Sequence, residues 1–291
     1  MSYSRTKCFF NKDKYKGSGI IRPQGYVTDG LFAWFDGICN TQTGEHDNSA
    51  TSWYDLTGNG YDLFPNISDI NCHFIDNGFR YQEIQNGNSF ALISNQSHPT
   101  DSIGFMEVEI VFEIISHDLG AFILWDTYKN LAAGEATAST NYDSNDYGYY
   151  TTIEEYGKLN PGGMKYYQSI NATRTTLELN KKYYLRRRIL FPRNQNGTNY
   201  LINTLMYNSG SDTVETEIST DISSFSNWSS GSFAYENSKI CLFSSRKRLN
   251  ESQQMQAHAV LHVYALRYYN RQLSVSDIAQ NFAADKERFN M

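Results

Sequence analysis

Gly30-Leu31-Phe32-Ala33-Trp34-Phe35-Asp36-Gly37, followed by Trp53-Tyr54-Asp55-Leu56-Thr57-Gly58-Asn59-Gly60-Tyr61-Asp62, decides the fold together with one stretch near the other end, Ala257 to Phe289. In the first, an apolar strand runs into a polar loop, and the Asn59-Gly60 step supplies the positive φ angles of a tight hairpin turn. In the last, alternation over His258 to Tyr269 predicts Val260, His262, Tyr264, Leu266 and Tyr268 on one face of a strand. Leu261, Val263, Ala265 and Arg267 fall on the other. A helix signal follows directly, with Ser274 as N-cap, Asp277 in the capping-box position, and Leu273 placed to staple against Ile278. The two ends are expected to form the first and last strands of one closed sandwich, with the helix as an add-on.

Between them the chain reads as strands and turns. Ser89–Ser94, Met106–Ile115, Ala121–Trp125, Tyr183–Phe191, Tyr200–Tyr207 and Lys239–Ser244 are strand candidates, and Asn196-Gly197 is a second hairpin turn. Helical periodicity is missing before Ser274, and no repeat recurs at a solenoid period. These signals predict an all-β fold, a two-sheet antiparallel jelly-roll sandwich closed by a short C-terminal helix. A chain of 291 residues fits one such domain, expected over residues 28–291. Residues 1–27 read as a basic arm, with Arg5, Lys7, Lys12, Lys14, Lys16 and Arg22 against Asp13 alone. Such an arm either docks to an acidic assembly or is a leader without a partner.

Composition narrows the function. The net charge of −6 gives no electrostatic footprint for nucleic acid or an anionic membrane, and no apolar run reaches the length of a membrane helix. Arg186-Arg187-Arg188 and Arg246-Lys247-Arg248 read as solvated faces. The four cysteines, Cys8, Cys39, Cys72 and Cys241, lack zinc spacing and read as free thiols. Tyrosine accounts for 22 residues, which points to adhesive surfaces or interfaces, or to an AT-rich coding bias. Met1 to Arg22 does not read as a signal peptide, so export by another route, such as particle release on lysis, is expected.

The ordered pattern Trp53, Asp55, Thr57, Gly58, Asn59, Gly60, Asp62, then Arg267, Tyr269, Asn270, Arg271, Leu273, Ser274, Asp277, Ile278 resembles the laminin G-like group of the concanavalin A-like lectin/glucanase sandwiches. The resemblance implies a fold and not a reaction. It implies an adhesive, non-enzymatic module similar to accessory proteins of tailed-phage particles: a capsid decoration, head fibre or receptor-binding component. The partners expected are glycan or host surface polysaccharide, other virion proteins through the arm, and further copies of the chain. The location expected is the virion, or alternatively secretion or the cell surface. A decoration without ligand, or a glycoside hydrolase or lyase, are the competing readings.

Three constellations could carry chemistry. Asn141 to Gln168 is rich in Tyr, Asp, Asn and Gly, so Trp125, Asp126, Asp143, Asn145, Asp146, Tyr147 and Tyr149 are the candidate glycan site, with an interface as the alternative. Glu107, Glu109 and Glu113 lie on one strand, as catalytic carboxylates of related glucanases do, but their spacing departs from the E-x-D-x-(x)-E pattern. A solvent face opposite Val108, Ile110, Phe112 and Ile114 explains them instead. Asp55, Thr57, Asn59 and Asp62 place oxygens at alternate positions as in a calcium loop, with a hairpin held by Asx-type hydrogen bonds as the alternative; otherwise no cofactor is expected. The histidines show no ligand spacing, and no phosphate-binding or dinucleotide motif occurs.

Overall fold

The computed structural model describes residues 23–66, 68–82, 90–97, 105–117, 122–129, 150–154, 158–160, 175–190, 201–208, 214–221, 238–243 and 259–291. Within these, β1 (Leu31–Asp36) pairs antiparallel with β15 (Ala259–Tyr269), so the quoted stretches from the two chain ends are neighbours in one sheet. That sheet orders β13 (Val214–Asp221), β12 (Leu201–Asn208), β11 (Lys182–Leu190), β6 (Phe105–His117), β15, β4 (Gly78–Gln82) and β3 (His73–Ile75), with β1 joining at β15. The second sheet orders β10 (Thr175–Thr176), β9 (Lys158–Asn160), β8 (Tyr150–Glu154), β7 (Phe122–Lys129), β14 (Ser238–Leu242), β5 (Leu92–Ser97) and β2 (Leu63–Pro65). Every pairing is antiparallel, and α1 (Val275–Phe289) follows β15. The two-sheet sandwich with a C-terminal helix agrees with the sequence reading.

Two strands share one edge of β15. Val260–Val263 pair with Gln82–Phe79 of β4, while Ala265–Tyr269 pair with Asp36–Leu31 of β1. Where β1 ends and β4 begins, the chains touch: a Cβ on Gly37 would lie 2.3 Å from the Gly78 Cα, and one on Gly78 would lie 2.8 Å from the Val263 carbonyl oxygen. At this point β15 carries a bulge against β6, since Val263 opposes Phe112 and Ala265 opposes Val111. The bulge overturns the strict alternation expected of this strand. Leu261, Val263, Leu266 and Tyr268 face the inter-sheet core, and Tyr264, Ala265 and Tyr269 lie outside it.

The core between the sheets is aromatic. Trp53 and Phe79 stack at 5.9 Å, Phe79 and Phe243 at 5.5 Å, and Tyr81 and Phe243 at 4.6 Å, with Phe74 edge-on to Phe79 at 5.0 Å. Such contacts add about 0.5–1.5 kcal/mol per pair beyond the area buried. Tyr26, Tyr61, Tyr81, Tyr183, Tyr184, Tyr264, Tyr268 and Tyr269 are all buried. This much of the tyrosine surplus belongs to packing, not to an adhesive surface.

The helix is not an add-on. Its stripe Ile278, Asn281, Phe282, Asp285 and Phe289 is buried on the outer face of the first sheet, against Val111, Tyr184, Tyr264, Ala265 and Tyr269. Its start is as read: Ser274 Oγ accepts from Asp277 N, and Asp277 Oδ2 accepts from Ser274 N at 2.9 Å. The described end of the expected arm, residues 23–27, belongs to the folded body as well. Tyr26 and Val27 are buried, Val27 N donates to Asn281 Oδ1 at 2.8 Å, and Gln280 Nε2 donates to the Gly25 carbonyl at 2.9 Å.

Gly78→Ala should lower stability by about 3 kcal/mol, because the added methyl meets backbone atoms that cannot move aside. A shift in the denaturation midpoint under about 0.5 kcal/mol would show that β1 and β4 are not held end to end. At the helix start, the Ser274 backbone N–H, then Arg271, hold the Asp277 carboxyl below its ordinary range. With the folded value depressed, the cap's contribution is present above the ordinary carboxylate value of about 4 and is lost as pH falls through the lowered one. Asp277→Asn should remove that part of the acid dependence in melts recorded across this window.

Candidate functional site

The glutamates that suggested catalysis are the floor of the helix contact. Glu107 and Glu109 are fully buried, against the solvent face expected for them, because α1 covers this side of the sheet. Register explains their partners: Arg267, Glu109 and Arg186 lie opposite one another across β15, β6 and β11, and Tyr269, Glu107 and Arg188 form the next row. Arg186 is buried too, so the solvated reading of that basic cluster is also corrected.

Each carboxylate is committed. Glu109 accepts from Arg267 Nε at 2.8 Å, from Asn281 Nδ2 at 3.0 Å and from the Tyr184 hydroxyl. Glu107 accepts from Arg186 Nε and, at 2.8 Å, from Leu273 N, which ties the β15–α1 connection to β6. Glu113 accepts from the Tyr264 hydroxyl. On the helix side, Arg267 Nη1 donates to Asp285 Oδ1 at 2.8 Å, and so does the Tyr26 hydroxyl. Burial pushes the Asp285 carboxyl above its ordinary range while Arg267 pulls it back. Nearby, Arg288 grips Asp36 with Nε at 3.0 Å and Nη2 at 2.9 Å, fastening the last helical turn to the end of β1. This arrangement anchors a helix; its acids are paired beneath it.

The Asp55 turn is held by a dense set of hydrogen bonds. Asp55 accepts from Trp34 N at 3.0 Å, Thr57 N at 2.9 Å, the Thr57 hydroxyl at 2.7 and 2.8 Å, and Tyr61 N at 3.2 Å. Asn59 directs its amide Nδ2 to the Phe32 carbonyl at 3.0 Å, and Asp62 accepts from Asp55 N at 2.9 Å. A calcium ion needs these oxygens turned toward a common point. Here both Asp55 oxygens and Asp62 Oδ1 are turned toward N–H and O–H donors, Asn59 turns its amide nitrogen to a carbonyl, and these are the bonds of an Asx-type hairpin. Among the described residues, no three His, Cys, Asp or Glu side chains stand where they could hold one. Cys39, Cys72 and Cys241 are buried free thiols, and burial pushes Cys72 up to about 12.

The second sheet separates the expected glycan residues. Phe64, Ile93, Cys241, Asp126 and Tyr150 form one cross-strand row over β2, β5, β14, β7 and β8. Pro65, Leu92, Leu242, Trp125 and Thr151 form the adjacent row, to which the core residues Leu92 and Leu242 belong. Trp125 and Asp126 thus belong to adjacent rows, at successive positions of β7. Asp126 is instead in register with Tyr150, a position not among the expected site residues. Antiparallel pairing of 122–129 with the Tyr-rich segment would have revealed it. Asp143, Asn145, Asp146, Tyr147 and Tyr149 lie outside the described residues, between these two strands in sequence.

No protein-family model matches the sequence, and comparison with curated proteins finds no match. Among solved structures, the chain is similar to the Trypanosoma rangeli sialidase in complex with 2,3-difluoro-KDN (TM-score 0.53, 12% identity), over 90% of this chain and 33% of that one. It is similar also to the same sialidase with 2,3-difluorosialic acid as a covalent intermediate (TM-score 0.52, 14% identity, 90% and 34%). A further similarity is to the binding domain of botulinum neurotoxin DC in complex with SialylT (TM-score 0.49, 11% identity), over 89% of this chain and 52% of that one. The chain spans about a third of the sialidase's length. At these identities the likeness is one of fold.

Arg267→Met should cost about 3–5 kcal/mol, since it leaves Glu109 and Asp285 buried without their cation. Adding Glu109→Leu and Asp285→Leu should recover most of the loss in chemical denaturation. A single variant as stable as wild type would mean that the helix does not depend on these pairs.

Proposed function

We propose that this chain is a non-catalytic adhesive module that binds glycans on the outer face of its second sheet. The observation that supports this reading is the division between the two sheets. On the first, the acids spaced most like a catalytic set are consumed in anchoring α1. On the second, the pairing of β7 with β8 sets Asp126 beside Tyr150, at the two ends of the segment that contains Asp143, Asn145, Asp146, Tyr147 and Tyr149. A tyrosine ring stacks on the apolar C–H face of a sugar, and neighbouring carboxylates and amides accept from its hydroxyls, so this mixture suits a saccharide. The exposed Phe64 continues the same row toward β2.

The proposal extends to the setting that the resemblance implies: an accessory component of a virion, carried by the basic residues that precede the folded body. Basic charge at the start of a chain whose overall net charge is −6 favours an acidic neighbour, and such a tether weakens as salt rises.

On a glycan array the wild-type chain should bind a defined set of saccharides without releasing products. Asp126→Asn and Tyr147→Ala should weaken that binding about tenfold while shifting stability by less than about 0.5 kcal/mol. Cleavage of the bound saccharide, or binding that is indifferent to both substitutions, would overturn the reading.

A further inference from the structure

We propose a second binding site, for an oxyanion, on the opposite side of the sandwich where the first sheet runs out from under the helix. It is formed by one cross-strand row. His73 of β3 is opposite Arg80 of β4, Arg80 opposite His262 of β15, His262 opposite Glu113 of β6, and Glu113 opposite Lys182 of β11. Antiparallel partners share a face, so the five side chains stand side by side on the outer surface.

Two of the five are occupied. Glu113 accepts from the Tyr264 hydroxyl, and Lys182 Nζ donates to the Phe289 and Asn290 carbonyls at the end of α1. The other three keep nitrogens that no acceptor among the described residues takes up. Arg80 is half-buried and, among the described residues, pairs with no carboxylate; its one hydrogen bond there runs to Gln82 Oε1 at 3.1 Å. His262 turns Nδ1 to within 4.0 Å of Glu113 Oε2, while its Nε2 is buried with no hydrogen-bond partner. His73 is exposed, with Nδ1 beside the Ile70 carbonyl at 3.0 Å, which leaves Nε2 for a ligand. A sulfate, phosphate or carboxylate group placed over Arg80 would pair with the guanidinium and stand between the two histidines that flank it in the row.

The electrostatics run the same way. Burial draws the His262 imidazole below its ordinary value, Glu113 draws it up, and Arg80, His73 and Lys182 push it down. A bound anion would oppose that push and raise it again, so binding is tighter where His262 is protonated. The group need not be a free ion. An open groove of about 800 Å³, lined by Ile70, His73, Asp76 and Asn77 among others, begins at the same histidine and gives room for the rest of a larger ligand.

The test uses the full chain and follows the His73 and His262 ring resonances by NMR while inorganic sulfate is added, with chloride at matched ionic strength as control. Parallel arms use inorganic phosphate, glucuronate and a sulfated disaccharide. Saturable shifts of both rings are expected, stronger near pH 5.5 than near pH 8 as His262 loses its proton. Arg80→Gln should weaken binding about tenfold, as loss of a charge-assisted pair does. His73→Gln, at an exposed position, provides a second variant should Arg80→Gln fail to fold, and it too should weaken binding. Tighter binding of the saccharides than of the ions would assign the groove to the sugar; equal binding would assign the site to the free anion. Shifts that chloride reproduces, or that persist unchanged in either folded variant, would overturn the proposal. The site lies on the other sheet from Asp126 and Tyr150, so its failure leaves the glycan reading standing.

Discussion

Arg267 is the constraint on which the rest of the molecule depends. Its guanidinium is fully buried between Glu109 of the sheet and Asp285 of the helix, with the Tyr26 ring 4.7 Å away on one side. Removing such a charge from water costs several kcal/mol, and so does each carboxylate beside it. Two carboxylates against one guanidinium leave a surplus of negative charge, which the Tyr184 and Tyr26 hydroxyls and the Asn281 amide solvate in place of water. Helix, sheet and the segment at 23–27 must all be in place before that set of bonds is complete.

The net stabilisation of the helix comes from its apolar side chains. Burying Ile278, Phe282 and Phe289 contributes about 1.5–3 kcal/mol each, more than a buried ion pair returns after desolvation. What the polar network supplies is register. Phe and Ile could slide along an apolar sheet face at small cost, whereas a shift of one helical turn would strand Asp285, Asn281 and Arg267 without partners. The bulge at Tyr264 belongs to the same requirement: it turns Arg267 and Tyr269 to the outer face while Leu266 and Tyr268 stay in the core.

The long strands and the capped helix were legible in the sequence because each carries a local signal, whether alternation, an Asn-Gly turn or a capping box. The short strands β2, β3 and β4 were not, since three to five residues among polar loops give no period to read. The bulge was invisible for a related reason. Alternation is legible only while the register is unbroken, and one extra residue exchanges the faces of everything after it. Glu107 and Glu109 looked solvated because a carboxylate every second residue is the usual mark of a wet face. The correction was nevertheless written in the chain: Arg186, Arg188 and Arg267 repeat with the same period on strands that pair with β6, and Asn281 and Asp285 are spaced to fall on the stripe of Ile278 and Phe282. Complementary charges on facing elements are a sign of burial that neither element shows alone.

The same reasoning separates the two surfaces that remain. Among the described residues, the fully buried acids are each matched by a cation or by hydroxyl, amide or backbone donors, as at Glu107, Glu109, Asp285 and Asp36. Half-buried Arg80 and His262 break that pattern within one strand spacing of where it is kept. Leaving the buried His262 Nε2 without an acceptor costs stability, and the half-buried Arg80 beside it meets no carboxylate among the described residues. The oxyanion proposed for this row is an acceptor of that kind, one that arrives from outside the chain and meets cations which the carboxylates of the core do not reach.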